Sequence, residues 1–586
     1  MVRIKDKIVS RYYATPGTYD VITYTEGGRY YAKDRMGNII CQDSPTACLQ
    51  EAVNYVAQLG GGKILVEKGT YYPKKTIRIP DGINLVIDGE GNNTVFRYTD
   101  RFILFLHVPS NPTWTSTVIL RNFKIDRRGS GENNTDIIGV SYAKYVMIDG
   151  IEIVDDWRDM DKDAGIASYS NLVMIVQNCR VFNKSYGIWA SGFLSIAREN
   201  YVVNTAKVGI AASGFAEGFG IPPGYSYGGL SIIENNVCID CGRTDEGISV
   251  DYGMGSSRSY GVGIIRNNII KTVNYASARM ITTPNVEKVV IENNILEGTV
   301  NMGAIDLWSA GDPLLAIIRN NYINVTNVSS GAFVATTHKM FVFENNMMYA
   351  TYNNISQNIF DLLHVYSAKV FIRGNRITTI TPSNYGFNNI IYVFARSSDS
   401  DPEYVDIESN DFVINALSDN LVHVWFDFTY PTTIPQVIVS KNLVNAKRAV
   451  NRVLRLTIRG DFAYAFVRDN QVNSNVANKI GAWTDKSGIR VYIDADIPFE
   501  PYATMSYYYY KKNYGVAKFN GDGTTTTFTI AHNLVKAPSR VLVTPASKDA
   551  AGSFYVTTDD TYIYVNYTTA PPAGTNNVVL HWYAEV

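Results

Sequence analysis

Five charged residues lie within or beside three short apolar segments of the sequence, at spacings that could support acid–base chemistry: Asp245, Glu246, Asp251, Arg279 and Asp306. Enzymatic cleavage of a glycosidic bond uses two carboxyl groups, one that protonates the leaving oxygen and one that activates water or attacks the sugar. An arginine beside one of two acids keeps that acid ionised while the other holds its proton. We therefore take these residues as the candidate catalytic set, with Asp245 or Glu246 as an alternative source of the acid.

Aromatic residues and one histidine recur in similar apolar segments: Tyr169, Trp189, Trp308, His364, Tyr366, Tyr392 and Trp425. Flat ring faces stack on pyranose rings, and neighbouring charges orient sugar hydroxyls or carboxylates. Large aromatic side chains also pack between the subunits of an oligomer. Both interpretations stay open at the level of sequence, and these residues form the candidate substrate-binding set.

Other groups with metal-binding or redox chemistry are few. The acidic run from Asp155 to Asp163 could be a solvated loop, a calcium site or a sugar contact. Cys238 and Cys241 form a Cys-x-x-Cys pair, but a zinc site needs two further ligands that the neighbouring sequence does not offer. Cys41 and Cys48 flank a short turn and could form a disulfide. We expect no metal site and no cofactor, apart from calcium as an alternative at the acidic run.

The composition argues against several classes of partner. The chain has 586 residues, of which 46% are hydrophobic, so it can bury large cores. Lys plus Arg total 53 against 54 for Asp plus Glu, and this balance argues against nucleic acid bound through its phosphates. No run approaches the roughly 18 apolar residues of a membrane span, and the first residues lack the apolar stretch of a secretory signal. We therefore expect no nucleic acid partner and no membrane insertion.

A short phrase ending in asparagine recurs along most of the chain. Its members, with Gly150 in one gap, lie 22 to 36 residues apart: Asn122, Gly150, Asn178, Asn200, Asn236, Asn268, Asn294, Asn321, Asn346, Asn375, Asn410, Asn442 and Asn470. Each step holds two or three short strands, too little for a core, so neighbouring units must stack about 4.8 Å apart. Asparagine suits the corners because it tolerates the left-handed backbone region and its amide can bond to the next coil. A propeller would need antiparallel blades of about 40 residues, whose turn pairs are missing.

A capping element precedes the repeat. Ser44-Pro45 predicts a helix start, apolar residues at helical spacing follow, and Gly60-Gly61-Gly62 ends the helix. The segments Lys63-Ile-Leu-Val, Gly69-Thr-Tyr and Gly-Glu-Gly91-Asn-Asn-Thr come next. This order resembles the opening of pectate-lyase-like right-handed β-helices, a superfamily that includes polygalacturonases and viral tailspikes. The resemblance covers roughly residues 44–480 and implies a fold rather than a reaction.

The expected fold class is all-β, with four regions. Residues 1–43 read as a small strand meander, 44–62 as the capping helix, 63–500 as a right-handed parallel β-helix and 501–586 as an antiparallel β-sandwich. The last region resembles a terminal module of phage and archaeal-virus tail proteins.

The resemblance implies that the active or binding groove runs along one stacked sheet, on strands that begin near a Gly-Ile pair. Tyr186-Gly-Ile-Trp189 and Glu246-Gly-Ile-Ser-Val-Asp251 are two such strands. If the central apolar residue faces the core, the residue one before it and the residues one and three after it face outward. The candidate residues would then share one face. The Gly-His-Gly and Arg-Ile-Lys signatures of polygalacturonases have no match, so galacturonan is unsupported as a substrate.

These features together indicate a tailspike-like, carbohydrate-active protein at a virion surface or outside the cell, which binds a surface polysaccharide and hydrolyses it. A non-catalytic fibre or adhesin is the first alternative, and a secreted polysaccharide lyase or hydrolase is the second. The terminal modules and the exposed aromatic residues predict a homotrimer with parallel axes.

Overall fold

The computed structural model is nearly all β, with 64% of residues in strands and 2% in helices. It describes residues 18–586 except for 101, 128–135, 156–163, 216–219, 252–259, 308–312, 330, 354–358, 383–384, 397–403, 428–435, 459–461, 478–479, 485–489, 496–498, 502–506, 511 and 535. Two compact units make up the chain. The first is Met1–Lys339 with Asn345–Gln357, and the second is Met340–Glu344 with Asn358–Val586.

An antiparallel meander precedes the helix. Its strands are β1 (Val21–Glu26), β2 (Arg29–Asp34) and β3 (Ile39–Gln42), and β1 also pairs in parallel with β4 (Gly61–Val66). A disulfide joins Cys41 at the end of this meander to Cys48 before the helix. The meander is therefore continuous with the first coil of the solenoid.

The capping helix α1 runs from Leu49 to Gln58 and buries Leu49, Ala52, Val53 and Val56. The predicted start at Ser44-Pro45 was wrong, because the backbone is left-handed at Cys48, with φ 64°. Ser44 Oγ instead accepts a hydrogen bond from the backbone N–H of Cys48 at 2.9 Å. It caps the turn that leads into the helix rather than the helix itself.

Parallel strands form the solenoid of the first unit. Strands β4–β27 are, in order, Gly61–Val66, Gly69–Tyr71, Ile77–Arg78, Asn84–Tyr98, Phe105–His107, Thr117–Arg127, Ile138–Val140, Tyr145–Asp149, Glu152–Asp155, Ala164–Ala167, Asn171–Gln177, Arg180–Arg198, Tyr201–Ser213, Leu230–Glu234, Val237–Ile239, Glu246–Val250, Tyr260–Arg266, Ile269–Lys271, Ser277–Thr282, Val286–Glu292, Ile295–Leu307, Leu315–Arg319, Tyr322–Asn327 and Val334–Thr336, and β29 is Met347–Tyr352. Each strand pairs in parallel with a strand of a neighbouring coil, which confirms the predicted β-helix.

The second unit continues this architecture on its own coils. Its parallel strands are β28 (Met340–Glu344) and β30–β45, which are Ile359–Tyr366, Lys369–Arg373, Arg376–Ile380, Gly386–Arg396, Tyr404–Glu408, Asp411–Asn415, Leu417–Asp427, Gln436–Ser440, Leu443–Ala446, Leu454–Ile458, Phe462–Arg468, Gln471–Val472, Ile480–Thr484, Arg490–Ala495, Phe499–Pro501 and Tyr507–Tyr510. Register is kept over successive coils, as in β30, β33, β36 and β39.

The repeated asparagines divide two tasks between neighbouring positions. The first position takes the left-handed turn, as Asn267 (φ 56°) and Asn293 (φ 57°) do. The second position builds a ladder, in which Asn268 Nδ2 donates to Asn294 Oδ1 at 3.0 Å and Asn294 Nδ2 donates to Asn321 Oδ1 at 3.0 Å. The sequence pattern predicted that a single asparagine in each repeat would both take the left-handed turn and bond to the next coil. Asn122 and Asn178 in fact belong to the left-handed position.

Two adjacent buried residues interrupt the alternation of each groove strand. Ile248 is fully buried, and a Cβ added to Gly247 would lie 3.0 Å from Ile270 Cγ2 in the core. A Cβ added to Gly187 would likewise lie 2.6 Å from Val202 Cγ1. The prediction that the residue before the central isoleucine faces outward was therefore wrong. The outward residue lies two positions before the isoleucine, as at Glu246.

A small antiparallel sandwich ends the chain. One sheet has the order β46 (Lys512–Gly521), β51 (Gly574–Glu585), β48 (Arg540–Pro545), and the other has β47 (Thr527–Ala531), β50 (Tyr562–Tyr567), β49 (Phe554–Thr558). Both sheets contribute to one core that includes Ile530, Ile563, Val565, Val578 and Leu580. This arrangement agrees with the predicted sandwich.

Candidate functional site

The groove face of the first unit is the outward side of strands β13, β15, β16, β19, β22 and β24. One column of this face runs in register over six coils: Ala167, Trp189, Ala211, Ser249, Thr282 and Asp306. Trp189 and Asp306 are only half-buried, whereas Ile188 and Ile305 immediately before them are buried. Trp189 and Asp306 lie four coils apart, about 19 Å at the usual strand spacing, and only small side chains separate them.

A second column carries the charged residues. Glu246 on β19 is in register with Arg279 on β22, and Arg279 is in register with Gly303 on β24. The missing side chain at Gly303 is a requirement, since a Cβ there would lie 2.6 Å from the Ala332 carbonyl oxygen. Arg279 therefore has Glu246 on one neighbouring coil and a glycine on the other.

Arg279 pairs with one of the predicted acids. Its Nε lies 2.8 Å from Asp306 Oδ2, and the two side chains are 24% and 28% exposed. Burial raises the pKa of Asp306, and the guanidinium of Arg279 opposes that rise. The pKa of Asp306 is therefore raised above the ordinary aspartate value, and the positive charge of Arg279 limits that rise.

Glu246 has the opposite surroundings. Burial, a hydrogen bond with the neighbouring carboxyl of Asp245 and the negative charge of that group raise the pKa of Glu246 to about 9. Asp251 adds to this rise and Arg279 opposes it. Glu246 therefore holds a proton at neutral pH, and the Asp245–Glu246 pair is a reservoir for one proton.

Asp251, predicted as one of two principal acids, is more enclosed than expected. Only 8% of the residue is exposed, and its backbone N–H donates to the Ala212 carbonyl oxygen at 3.1 Å. Its charge acts on Glu246 from the position just after the same strand. Glu246, considered from sequence only as an alternative, is less buried than Asp251 and has a pKa raised to about 9.

Two of the predicted aromatic residues meet on this face. The ring centroids of Tyr169 and Trp189 are 6.4 Å apart, and Tyr186 lies 5.6 Å from Trp189. The indole N–H of Trp189 donates to Ser213 Oγ at 3.3 Å, which fixes the ring orientation. Trp308, the other predicted platform, lies outside the described residues.

The remaining predicted residues belong to the second unit. His364 Nδ1 lies 2.7 Å from Asp361 Oδ2, and its ring lies 4.8 Å from Tyr366 and 5.0 Å from Tyr392. Trp425 lies 5.3 Å from Phe394. His364, Tyr366, Tyr392 and Trp425 are thus brought together on one sheet.

Sequence reasoning missed Asp361 as the partner of His364. The spacing Asp-x-x-His contained the signal, because both intervening residues, Leu362 and Leu363, are fully buried. Two consecutive inward residues place Asp361 and His364 on the same outward side, as in the Glu246 strand.

The acidic run starting at Asp155 falls largely outside the described residues. Asp155 itself is buried and forms ion pairs with Arg127 at 2.7 Å and Lys184 at 2.9 Å. Burial alone would raise the pKa of Asp155, but the two cations more than offset it and the pKa is lowered. Its carboxylate therefore has a structural partner set rather than an open ligand position.

Metal and membrane features can be assessed for the described part of the chain. Within it, no three His, Cys, Asp or Glu side chains are grouped as a metal site would require. Cys179, Cys238 and Cys241 are buried free thiols. No helix in these residues has the length and apolar composition needed to cross a membrane.

Comparisons with known proteins concern the backbone. The fold of this chain is similar to that of phage tailspikes. The tailspike gp61 of Pseudomonas phage phi297 is 10% identical over 92% of both chains with a TM-score of 0.36, and the tailspike gp49 of Pseudomonas phage LKA1 is 12% identical over 92% of both chains with a TM-score of 0.37. The tailspike of E. coli bacteriophage HK620, solved with a pentasaccharide, is 13% identical over 94% of this chain and 92% of that chain, with a TM-score of 0.40. No protein-family model and no curated protein matches the chain.

Proposed function

We propose that the groove face of the first unit binds a polysaccharide and hydrolyses one of its glycosidic bonds. The observation that carries this proposal is the arrangement of two pairs of ionisable side chains on three successive coils. One is the pair of acids Asp245 and Glu246, and the other is the ion pair of Asp306 with Arg279. Glu246 holds a proton at neutral pH, and the positive charge of Arg279 favours the carboxylate form of Asp306 against the effect of burial. Hydrolysis of an acetal needs these two protonation states side by side.

Glu246 is the proposed proton donor. Because its pKa is raised to about 9, it is protonated at neutral pH and can give its proton to the leaving oxygen as the glycosidic bond breaks. Once the proton has been transferred, Asp245 and Glu246 are adjacent carboxylates whose like charges repel, and this repulsion favours the return of a proton to Glu246 after the reaction. Arg279, on the next coil, stabilises the negative charge that Glu246 acquires.

Asp306 is the proposed base. Glu246 and Asp306 lie two coils apart, about 9.6 Å along the solenoid axis. Asp306 also lies three residues along its strand from Gly303, the residue in register with Glu246 through Arg279. This backbone separation is well beyond the roughly 5–5.5 Å between the carboxyl groups of retaining enzymes, and the two side chains must extend toward each other to reach the roughly 6.5–9.5 Å of inverting ones. We therefore expect Asp306 to activate a water molecule and the product to have the inverted anomeric configuration.

Glycan binding would extend from the acid pairs toward Trp189. Ala211, Ser249 and Thr282 form a floor of small side chains between Asp306 and Trp189. Trp189 and Tyr169 would stack on sugar rings several units from the cleaved bond, since aromatic faces suit the apolar faces of pyranoses.

The experiment is a screen of bacterial surface polysaccharides that scores both binding and the release of new reducing ends. The proposal expects at least one polysaccharide to be bound and shortened, with NMR of the first product showing inversion. Binding without release of reducing ends from any polysaccharide would contradict the proposed hydrolysis. It would favour the alternative that the protein is a non-catalytic adhesin.

One observation favours a second candidate function, that of a non-catalytic adhesin. Asp245 and Glu246 hydrogen-bond to each other, and Arg279 and Asp306 neutralise each other, so each pair also satisfies itself without a substrate. In that case the acids would orient sugar hydroxyls only. A secreted hydrolase or lyase would share the groove but not the assembly.

We also propose a homotrimer at a virion surface or outside the cell. Long solenoid faces can associate around a threefold axis, and closed cyclic symmetry is common among homo-oligomers. Light scattering at micromolar concentration should give the mass of three chains. A single-chain mass would contradict the trimer and favour a secreted enzyme.

A further inference from the structure

A separate column of polar and aromatic residues lies in the second unit. His364, Tyr392, His423 and Arg455 are directly in register on four successive coils. Beside this column run Tyr366, Phe394, Trp425 and Thr457, also in register. The ring centroids of Tyr366 and Phe394 are 5.4 Å apart, and those of Tyr392 and His423 are 5.2 Å apart. These eight residues form the second groove face.

Arg455 lacks the carboxylate partner that several arginines of the coils have. Arg266, Arg319 and Arg373 each have a carboxylate on a neighbouring coil. Within the described part of the chain, Arg455 makes no ion pair, and its buried Nε has no hydrogen-bond partner. A half-buried guanidinium without a carboxylate partner is costly unless a ligand supplies the negative charge.

The neighbouring histidine does not compete for such a ligand. Burial, together with the charge of Arg455, lowers the pKa of His423 to about 3, so His423 is neutral. Its Nε2 lies 3.0 Å from Thr457 Oγ1. The permanent positive charge at this end of the column is therefore that of Arg455.

His364 occupies the other end of the column and is held firmly. Asp361 contacts its Nδ1 at 2.7 Å, and Asn389 Nδ2 donates to the other oxygen of Asp361 at 2.6 Å. Asn420 Nδ2 in turn donates to Asn389 Oδ1 at 2.8 Å. With the proton on Nδ1, the Nε2 atom is an acceptor, and no described residue bonds to it.

The spacing decides what the two ends can share. His364 and Arg455 lie three coils apart, about 14 Å at the usual strand spacing. That span is too long for both side chains to act on one sugar ring. Arg455 and His364 therefore cannot together catalyse the β-elimination by which a lyase would cleave a chain at one acidic sugar. They can contact successive sugars of one chain.

We propose that the second groove face is a binding subsite for an acidic glycan, in which Arg455 pairs with the carboxylate of a uronic or similar acidic sugar. The planar guanidinium suits a carboxylate because it can donate two parallel hydrogen bonds. Tyr392 and Trp425 supply the ring contacts, and His364 accepts a hydroxyl hydrogen from a neighbouring sugar. This inference rests on the proposed glycan binding and adds the class of sugar.

The test measures binding of full-length protein to a panel of uronic-acid-containing surface oligosaccharides and to the same oligosaccharides after reduction of their carboxyl groups. We expect tighter binding of at least one acidic form than of its reduced form. Arg455→Met should weaken binding of that acidic form at least tenfold and leave binding of the reduced form unchanged. Arg455→Lys should bind the acidic form with an affinity between that of Arg455→Met and that of the unchanged protein.

Arg376→Met is the matched control, because Arg376 pairs with Asp411 outside this column. It should bind like the unchanged protein. Equal binding of the acidic form by Arg455→Met, or a preference for sulfated over carboxylated sugars, would overturn the subsite while leaving the proposed function intact. Failure of the protein to bind any form, acidic or reduced, would overturn the subsite, whereas the proposed function is decided separately by the screen of bacterial surface polysaccharides.

Discussion

Arg279 is in register with Glu246 on one neighbouring coil and lies 2.8 Å from Asp306 on the other. One guanidinium thus influences two carboxyl groups, and it opposes the rise in pKa that burial causes at each of them. Glu246 also faces a second carboxyl, Asp245, whereas Asp306 has the arginine as its partner. The chemical asymmetry of the site follows from this arrangement.

The first prediction concerns the alkaline limit of activity. A proton donor must be protonated, so kcat/KM should fall as pH rises through the pKa of Glu246, at about 9. Asp245→Asn removes a like charge and should move this limb to lower pH. The shift should be partial, because burial remains the largest cause of the raised pKa.

The pH–rate profile of both proteins on the same polysaccharide measures this shift. Glu287→Gln is a suitable control and should leave the limb in place, because Glu287 lies on β23, which is not a groove strand, and pairs with Lys288. A limb that Asp245→Asn leaves unmoved would mean that another group sets it.

The second prediction concerns the aromatic end of the groove. Trp189→Ala removes a ring whose indole N–H is held by Ser213, and should weaken polysaccharide binding about tenfold or more. Calorimetry or surface binding measures the loss. Tyr72→Ala, which removes an exposed ring near the first coil, should change binding little, and an equal loss in both variants would argue against a localised platform.

The third prediction concerns the buried ion group. Asp155→Asn leaves Arg127 and Lys184, both fully buried, without a shared carboxylate. Breaking a buried pair in this way costs about 3 to 5 kcal/mol of unfolding free energy. Glu408→Gln removes the exposed pair with Lys441 and should cost far less, because solvent screens an exposed ion pair. Urea unfolding of the two variants compares them, and similar midpoints would show that the buried group contributes little.

The fourth prediction separates the two asparagine positions. Asn294→Ala interrupts the amide ladder and should cost about 1 to 3 kcal/mol, because buried polar groups lose their partners. Asn293→Gly keeps the left-handed backbone at φ 57° and should be nearly neutral. Thermal unfolding distinguishes them, and the reverse order would contradict the assignment of the two tasks.

The parallel β-helix and the terminal sandwich followed from the sequence, because the asparagine period and the strand pattern repeat over many coils. The phase of each groove strand did not follow. Strict alternation gives no sign that Gly247 and Ile248 both face inward. Glu246 was therefore ranked below Asp251, and Asp361 was not paired with His364. Contacts across coils depend on loop lengths, so the Arg279–Asp306 pair could only be suspected.

The central claim is that Glu246 donates the proton that breaks a glycosidic bond. Its most direct test is a comparison of Glu246→Gln with the unchanged protein on a polysaccharide that the protein binds, scoring new reducing ends in a single turnover. Glu234→Gln is the matched control, because Glu234 forms an ion pair with Arg266 on strands that are not part of the groove face. We expect Glu246→Gln to bind the polysaccharide normally and to lose cleavage by at least a hundredfold, with the control unaffected. Cleavage by Glu246→Gln at the unchanged rate would contradict the account.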